Sequence, residues 1–365
     1  MEFALSEDQR QMQDSLRGAL SRACPLVRVR EVAARGLARD EDVWSVVREL
    51  GVPALLVPEI HGGLGLSLLD AAIAAEELGR RVAPVPFLGS TVLAAIALRE
   101  AGCAALQALW LPRIASGEVV TGVALSDALR GTRSQSGAGV YQVDGRLHGS
   151  TRFVVDGAQA DAFLIAETDG TLHFVDGDAV GLQRMALNAI DATRPMVELR
   201  LDGVTAQRLT GSGSAALNRL RDAAWVILAA DTLGAGWAMI EQSVAYARDR
   251  RQFGRAIGSF QAVKHLCAEM AAELEITRAI VWYAAHAFDE RPDELSLYAA
   301  HAKALLGDAG QFVARTATEV HGGMGITDEL GLHHWFKRIG VNRQLYGGPE
   351  RARRAAAALQ GWAIA

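Results

Sequence analysis

The chain has 365 residues, of which 50% are hydrophobic and 22% are charged, a composition typical of a folded protein with a large buried core. Its formal net charge of -5 and its pI near 6.0 argue against nucleic acid as a partner, because phosphate binding needs a concentrated basic surface. Three cysteines without CxxC spacing predict reduced thiols, and the acidic N-terminus lacks the plan of a signal peptide. We therefore expect a cytoplasmic protein without membrane insertion.

The first predicted domain, residues 1–116, has a helical pattern. Ser6 and Gln9 have the spacing of a capping box, and apolar residues then recur every four positions over Met12–Leu20, which predicts an amphipathic helix. A glycine-rich loop at 59–65 interrupts the helical pattern, which resumes after it. This part of the chain is expected to be an N-terminal helical domain.

The second predicted domain, residues 117–211, changes to a period of two. Val140–Val143 and Leu147 flank the turn Asp144-Gly145, which is the commonest signal of a short hairpin. Further short apolar runs indicate more strands, at 153–155, 162–165, 172–175 and 196–199. These patterns predict a small antiparallel β domain.

The third predicted domain, residues 212–365, returns to helices. No proline occurs between Ser214 and Pro292, and apolar side chains repeat with helical spacing over Trp237–Ala247. We expect a C-terminal four-helix bundle. The order of helices, then strands, then helices predicts an α+β fold and gives no βαβ alternation for a parallel nucleotide-binding sheet.

Two motifs in the third domain resemble the signatures of acyl-CoA dehydrogenases. The first is Ala-Tyr-Ala-Arg-Asp-Arg-Arg-Gln-Phe-Gly-Arg-Ala-Ile-Gly-Ser-Phe-Gln-Ala-Val-Lys-His at 245–265. The second is Glu-Val-His-Gly-Gly-Met-Gly-Ile-Thr-Asp-Glu at 319–329, ahead of Arg338. Their order, their separation and the helix-strand-helix layout fit that family over the whole chain.

The resemblance implies FAD as the cofactor, shared across a subunit interface. A guanidinium such as Arg250 and a closely approaching glycine backbone at Gly322-Gly323 suit the two charges of a pyrophosphate. Phe253 offers a flat apolar surface for the nucleotide end, and Ser126 and Phe153 correspond to positions beside the flavin ring. Glu319 departs from the family's usual glutamine. The residues that the resemblance assigns to FAD are Arg250, Gln252, Phe253, Gly254, Gln261, Glu319, His321, Gly322, Gly323, Gly325, Ser126 and Phe153.

Family chemistry is an α,β-desaturation in which a carboxylate removes the α-proton of an acyl-CoA and a hydride passes to the flavin. Both family positions for that carboxylate lack one here. The common position is Gly347, in Leu-Tyr-Gly-Gly-Pro, and the alternative position is Ala224, beside Trp225. Two nearby carboxylates, Glu350 and Asp222, are the remaining candidates for a base.

The loss of the base together with an intact Arg-Arg-Gln-Phe-Gly segment resembles one subunit of the heterotetrameric acyl-CoA dehydrogenases of steroid side-chain catabolism. The resemblance implies three partners: an acyl-CoA substrate, a homologous subunit that carries the base, and electron-transfer flavoprotein or a similar acceptor. Two alternatives stay open. One is a self-sufficient dehydrogenase with Glu350 or Asp222 as a displaced base, and the other is a redox-silent binding or scaffold protein on the same fold.

No metal site is expected from the nine histidines. His333 and His334 are adjacent, and adjacent positions on a helix point about 100° apart, which argues against joint chelation. Serines show no nucleophile elbow, so the sequence gives no support for hydrolase chemistry.

Overall fold

The computed structural model of the protein describes residues 4–130 and 139–362, so the outermost residues of the first and last predicted domains lie outside it. The predicted order of helices, strands and helices is confirmed. The N-terminal helices are α1 (Glu7–Ala23), α2 (Leu26–Arg35), α3 (Glu41–Glu49), α4 (Leu68–Arg80), α5 (Ala95–Ala101) and α6 (Ala104–Ala115). The predicted capping box starts α1, since the amide of Gln9 donates to Ser6 Oγ and the amide of Ser6 donates to Gln9 Oε1, each at 3.1 Å.

The central part of the chain forms a sheet with one short helix, α7 (Ser126–Arg130). Its strands are β1 (Thr121–Ala124), β2 (Gly139–Val143), β3 (Arg146–Val155), β4 (Ala162–Ala166), β5 (Leu172–Asp176), β6 (Leu182–Ala186), β7 (Met196–Val204) and β8 (Gln207–Arg208). The strand order is β6-β7-β3-β1-β4-β5-β8, with β2 paired to β3. The predicted hairpin at Asp144-Gly145 is confirmed, because β2 and β3 pair on either side of it.

The expectation of a wholly antiparallel sheet is wrong for one pair of strands, because β1 and β4 are parallel. β3 lies antiparallel on one side of β1. A short connection, residues 156–161, then reverses the chain and carries it across to the other side of β1. β4 therefore runs in the same direction as β1, and the sheet is mixed.

The C-terminal part contains three long helices and two shorter ones, with a small hairpin after the first. These elements are α8 (Ser214–Asp249), β9 (Arg251–Gln252), β10 (Arg255–Ala256), α9 (Gln261–Glu290), α10 (Pro292–His321), α11 (His333–Gln344) and α12 (Pro349–Leu359). One helix, α8, is long and apolar enough to span a membrane by length and composition alone. However, 94% of its apolar stretch is buried inside the fold, as in the core helix of a globular protein.

Two glycines allow α4 and α8 to cross with their backbones in contact. A Cβ placed on Gly79 would lie 2.1 Å from the carbonyl oxygen of Asp231, and one placed on Gly234 would lie 1.8 Å from that of Glu76. Any larger residue at either position would force the helices apart. This crossing fixes the N-terminal helices against the centre of the C-terminal bundle.

A single buried arginine, Arg338 of α11, connects all three parts of the chain. Its guanidinium donates to Asp191 Oδ2 at 2.6 Å, in the connection before β7, and to Asp231 Oδ2 at 3.2 Å, on α8. It also donates to the carbonyl of Val82, just after α4, at 3.4 Å. Arg338 is only 1% exposed, and its charge is compensated by the two carboxylates together with further hydrogen bonds, among them one to Thr193 Oγ1 at 2.6 Å.

Candidate functional site

The first motif forms an exposed hairpin at the end of α8. The helix ends at Asp249, Arg250 adopts an extended conformation, and β9 and β10 pair around a two-residue turn. The turn residues Phe253 and Gly254 have φ angles of 52° and 78°, the left-handed pair that a tight hairpin turn requires. Phe253 is 90% exposed and Arg250 is also exposed. The guanidinium of Arg250 and the aromatic ring of Phe253 are therefore both available to a neighbouring molecule.

The second motif forms a glycine loop at the end of α10. Gly322 has a φ of 58°, which favours glycine, and a Cβ on Gly322 or Gly323 would meet no atom within 4 Å. Gly325 is different, because a Cβ there would lie 2.7 Å from the carbonyl oxygen of Thr318. The loop thus leaves two exposed glycines with open space above their backbone, where a ligand can approach closely.

The two motifs meet in space through one residue of each. The ring centroids of Tyr246 and His321 are 4.7 Å apart, which joins the end of α8 to the end of α10. His321 Nδ1 is hydrogen-bonded to the carbonyl oxygen of Ala317 at 2.7 Å. Burial lowers the pKa of His321, so the ring is neutral at neutral pH. Nδ1 then carries the proton that is donated to Ala317, and the imidazole ring is buried beneath the glycine loop.

The other residues assigned to FAD at this end of the molecule lie on the surface. Gln252, Gln261 and Glu319 are all exposed. The hairpin, the glycine loop and these polar side chains together will be called the hairpin region.

A second region is a cavity of about 500 Å³ between the sheet and the last two helices. It brings together three positions that the sequence singled out, namely Ser126, Phe153 and Gly347. Its full lining is Ser126, Arg130, Phe153, Asn188, Ala189, Ile190, Met196, Gly340, Val341, Gln344, Leu345, Tyr346, Gly347, Gly348 and Arg351.

The sheet side of the cavity is formed around Phe153, at the end of β3. Phe153 has a φ of 56° and is 37% exposed, so its ring faces the cavity and is not part of the sheet's core. Ser126 Oγ donates to the carbonyl oxygen of Phe153 at 3.5 Å, and the Arg130 guanidinium lies 5.6 Å from the centre of the Phe153 ring. This wall is therefore aromatic with a cation beside it.

The helix side of the cavity contains the common family position of the base, Gly347. Its φ is 108°, and a Cβ there would lie 2.7 Å from Arg351 Cδ. Arg351 therefore occupies the space in which a longer side chain at position 347 would start. The alternative position, Ala224, is fully buried and does not line the cavity. Its neighbour Trp225 donates from Nε1 to the carbonyl oxygen of Tyr346 at 3.1 Å and so supports the loop before Gly347.

No carboxylate lines the cavity among the residues that the structure describes. Residues 131–138, which follow Arg130 and lie outside the described residues, contain no Asp or Glu either. The cavity residues available to hold or move a proton are thus a phenol, hydroxyl and amide groups, and two guanidinium groups. None of them is a base of the kind that the family uses.

The two candidate bases lie outside the cavity lining. Glu350 is exposed and accepts a hydrogen bond from Arg343 at 3.1 Å. Hydrogen bonds from its own backbone amide and from Arg343 lower the pKa of Glu350. Asp222 is buried, pairs with Arg221 at 2.7 Å and accepts from Ser296 at 2.6 Å, while burial raises the pKa of Asp222. Both carboxylates are engaged in local ion pairs, and neither is among the lining residues.

Sequence patterns gave no signal for Lys303, a buried amine behind the cavity. Its Nζ donates to the carbonyl oxygens of Asn342 and Leu345, the latter at 3.0 Å, and thereby holds the chain that leads into Tyr346-Gly347. Burial lowers the pKa of Lys303 to about 7. The sequence also gave no site role to Arg130, Tyr346 and Arg351, and Arg351 was interpreted as part of a solvated helix face. The three converge on the cavity from distant positions in the sequence.

The hairpin region and the cavity lie near opposite ends of α8. Trp225 contacts the cavity loop, and Asp249 precedes the hairpin, which is ~36 Å away at 1.5 Å per helical residue. Side chains of the hairpin therefore cannot line the cavity of their own subunit.

The sequence-based reason for excluding metal chelation by His333 and His334 is wrong. Their ring centroids lie 4.2 Å apart, and one ligand atom from each ring and from Asp328 falls within 4.8 Å of the others. Both residues occupy the first turn of α11, where side-chain rotation brings the rings together. The cations Arg30 and Lys337 border this cluster and disfavour a further positive charge, so we assign no metal to it.

Comparison with known proteins finds the same relatives along almost the whole chain. Two family models match, "Acyl-CoA dehydrogenase, N-terminal domain" at residues 6–118 and "Acyl-CoA dehydrogenase, C-terminal domain" at residues 212–359. Acyl-CoA dehydrogenase IpdE2 of Mycobacterium tuberculosis (strain ATCC 25618 / H37Rv) is 32% identical over 349 residues, which cover 95% of this chain and 96% of that protein.

Similar solved structures include heteromeric assemblies. The structure of the ChsE4-ChsE5 complex from Mycobacterium tuberculosis has a TM-score of 0.91 at 27% identity and covers 100% of both chains. A variant of the Tcur3481-Tcur3483 steroid ACAD has a TM-score of 0.88 at 29% identity and covers 97% of this chain and 98% of its own. PigA, solved with FAD and proline, shares the fold at 21% identity, with a TM-score of 0.88 and coverage of 99% and 100%.

Proposed function

The chain belongs to the acyl-CoA dehydrogenase family, and from that premise we propose that it is an accessory subunit of a heteromeric, FAD-dependent enzyme. In this proposal its hairpin region completes an FAD site on a neighbouring subunit, and a homologous partner supplies the base. The observation that carries the proposal is the cavity without a carboxylate, in which Arg351 fills the space next to Gly347.

The hairpin region fits an FAD molecule held by an adjoining subunit. Arg250 would pair with the pyrophosphate, and the exposed backbone of Gly322-Gly323 allows the phosphates to approach. Phe253 would cover an apolar face of the nucleotide, and the buried ring of His321 would support the glycine loop that follows it. Gln252, Gly254, Gln261, Glu319 and Gly325 complete the proposed set. When bound, FAD supplies the hydride acceptor for desaturation.

The distance between the two regions supports the assignment of this hairpin to a neighbour's cofactor. Arg250 and Phe253 point outward at the end of α8 far from the subunit's own cavity, where the remaining two predicted flavin contacts, Ser126 and Phe153, are found. If one FAD molecule contacts both the hairpin residues and the pair Ser126 and Phe153, the two groups of residues must come from different subunits. Within the described residues, the hairpin has an ordered conformation suited to such a contact.

The proposed partners follow from the family. The substrate would be an acyl-CoA, and the relatives whose descriptions include a steroid ACAD favour a bulky acyl group. A base-bearing homologous subunit is supported by the related complexes, and electron-transfer flavoprotein or a similar carrier would accept the electrons. We propose a cytoplasmic location, with α8 as a core helix and no membrane insertion.

The placement of Glu350 and Asp222 disfavours a self-sufficient enzyme. A base must come within about 3 Å of the proton that it removes. Neither carboxylate lines the cavity, and each is held by an arginine of its own helix or of the adjacent one. A redox-silent scaffold on this fold would leave the open glycine loop and the hairpin without a ligand.

The test is co-expression with an acyl-CoA dehydrogenase homologue encoded nearby that carries the family carboxylate. We expect the chain alone to retain little flavin and to give no desaturation, whereas the complex should be yellow and bleached by acyl-CoA. As a control, the partner's base is changed to glutamine, which should lower turnover by ~100- to 10,000-fold and leave the flavin bound. Full activity of the lone chain would sink the proposal, as would a complex in which the control variant still turns over.

A further inference from the structure

We propose that the cavity lined by Phe153, Tyr346, Gly347 and Arg351 is a binding site for an organic carboxylate with a compact apolar body. This inference goes beyond the accessory role, in which the chain completes a neighbour's FAD site. It concerns the subunit's own cavity, where the ligand would occupy the space beside Ser126 and Phe153 instead of a flavin ring. In this proposal the cavity binds a ligand instead of catalysing desaturation. Its arginines give it a positive charge where the family has the negative charge of the catalytic carboxylate.

The charge balance of the cavity favours an anion. Arg130 and Arg351 line it, and no carboxylate does so among the described residues. Three carboxylates outside the lining are paired with arginines. Asp127 forms a salt bridge of 4.0 Å with Arg130 and accepts from the amide of Arg152 at 2.8 Å. Glu350 pairs with Arg343, and Asp222 pairs with Arg221. Arg351 has no salt bridge within the described part of the chain, and its only recorded hydrogen bond there goes to the carbonyl of Leu129.

Burial beside other cations makes the unbalanced charge costly. Burial, together with the neighbouring charges of Arg221 and Arg130, lowers the pKa of Arg351. A guanidinium nevertheless stays protonated at any physiological pH, so the positive charge persists. An anion placed between Arg351 and Arg130 would relieve this repulsion and would accept two charge-assisted hydrogen bonds.

The walls of the cavity favour an apolar body over a free phosphate. Phe153, Met196, Val341 and Leu345 line it, with Ala189 and Ile190 at its edge. A volume of about 500 Å³ is in the range of sites that hold one small organic molecule. Inorganic phosphate would leave most of this apolar surface in contact with water, whereas a ring or short chain would cover it.

Two hydroxyl groups complete the site on its polar side. Tyr346 is almost fully buried, and its hydroxyl has no hydrogen-bond partner in the described structure, although a buried phenol normally has one. Burial also raises the pKa of Tyr346, so the phenol is a donor and not an anion. Ser126, on the sheet side, already donates from Oγ to the carbonyl oxygen of Phe153. The two guanidinium groups are therefore the main donors to a carboxylate, and the phenol is the hydroxyl of the described lining that has no partner.

The experiment is isothermal titration of the purified protein, in the oligomeric form in which it is isolated, with a matched pair of probes. Cyclohexanecarboxylate supplies the anion and the apolar body, and cyclohexanecarboxamide keeps the body without the charge. We expect the carboxylate to bind at least about tenfold more tightly than the amide, since a charge-assisted contact accounts for that difference. Inorganic phosphate should bind more weakly than the carboxylate.

Two variants locate the binding. Arg351→Gln should weaken the carboxylate by about tenfold or more, and Arg354→Gln, an exposed arginine on the same helix, should leave it unchanged within about twofold. If Arg351→Gln does not fold, Arg130→Gln provides the same test from the opposite wall. Equal affinity for acid and amide, tighter binding of phosphate, or full retention of affinity in the folded arginine variant would each overturn the proposal. None of these readouts requires flavin or turnover, so their failure is distinguishable from failure of the accessory role.

Discussion

The two ends of α8 differ in what they have retained. At its C-terminal end the hairpin region keeps an exposed guanidinium, an exposed aromatic tip and an open glycine loop in contact with one another through Tyr246 and His321. Near its N-terminal end the cavity keeps the ring of Phe153 and the hydroxyl of Ser126 but has no carboxylate among its described lining residues. One helix thus joins the region that we propose contacts a neighbour's FAD and a cavity that has no carboxylate in its described lining.

Under the proposed roles, FAD contact and proton removal depend on separate parts of the family fold. The hairpin region depends on local backbone conformation and a few exposed side chains, whereas the base depends on one loop position within the cavity. The absence of the base is also built into the surrounding packing, because Arg351 now fills the adjoining space. The contrast between the two ends therefore makes specific predictions for variants at each of them.

The largest effect is expected at the hairpin region. Arg250→Gln should weaken FAD binding by the heteromeric complex by ~10- to 100-fold, the range expected for losing a hydrogen bond to a charged group. Flavin content after gel filtration and titration of the stripped complex with FAD would measure it. Arg248→Gln, another exposed arginine two residues earlier, is the matched control. If both variants lost FAD affinity equally, or if neither lost it, the proposed difference between the two ends of α8 would be contradicted.

The next effect concerns the empty base position. Gly347→Ala should lower the free energy of unfolding by ~1–3 kcal/mol, because its φ of 108° and the contact with Arg351 both penalise a side chain. Gly340→Ala is the matched control, since Gly340 lines the same cavity, lies inside α11 and has open space around it. This control should be neutral or stabilising by up to ~1 kcal/mol.

Restoring the carboxylate at this position tests the same idea through activity. We expect Gly347→Glu to remain inactive as a lone chain, because the new side chain would displace Arg351 before reaching a substrate. Desaturation by the Gly347→Glu chain without a partner would show that the cavity remained a working active site missing only its base.

A smaller effect is expected in the pH dependence of stability. The pKa of Lys303 is about 7 in the folded protein, and that of an unfolded lysine is ~10.4. Between these values the unfolded chain binds more protons, so Lys303 makes stability rise with pH by up to ~1.4 kcal/mol per unit. At a pH below the folded pKa of Lys303, the free energy of unfolding is lowered by the full cost of charging the buried amine. At a pH above the unfolded pKa, this cost disappears.

Denaturant unfolding of the wild type and of Lys303→Met at about pH 7 and about pH 9 would isolate this contribution. The wild type should gain stability relative to the variant as the pH rises, whereas Lys264→Met, at an exposed lysine, should follow the wild type. Parallel pH profiles for wild type and Lys303→Met would mean that the amine behind the cavity is solvated and charged.

The smallest effect is expected at Glu350. Glu350→Gln should change kcat/KM of the heteromeric complex by less than about twofold and leave its Tm almost unchanged, because an exposed ion pair such as Glu350–Arg343 contributes ~0–1 kcal/mol. A steady-state assay and a thermal melt would measure both. A drop of more than about tenfold in turnover would identify Glu350 as the displaced base and would erase the proposed contrast between the two ends.

The elements that were predicted well are those defined by neighbours in the sequence. The capping box at Ser6 and the hairpin at Asp144-Gly145 each depend on residues within a few positions, and both are present. The two motifs of the hairpin region are likewise continuous stretches, so they could be recognised without knowing how the chain folds. Their proposed contacts with FAD stay predictions.

What the sequence missed depends on residues that are distant along the chain. β1 is a four-residue strand buried on both faces, so it shows no alternation, and its parallel pairing with β4 depends on how the chain crosses the sheet. The convergence of Arg130 and Arg351 on one cavity joins positions more than 200 residues apart. The close approach of the His333 and His334 rings was missed because helical Cα directions do not fix side-chain rotamers.

The contacts of Arg338 have a consequence for how the molecule melts. The guanidinium of Arg338 is hydrogen-bonded to the segment after α4, to the loop before β7 and to α8. Separating one of these parts from the others therefore breaks hydrogen bonds of a buried charged group. Partial opening is therefore penalised almost as heavily as complete opening. The subunit is expected to lose its structure in one calorimetric transition, even though three layers with different secondary structure would suggest three.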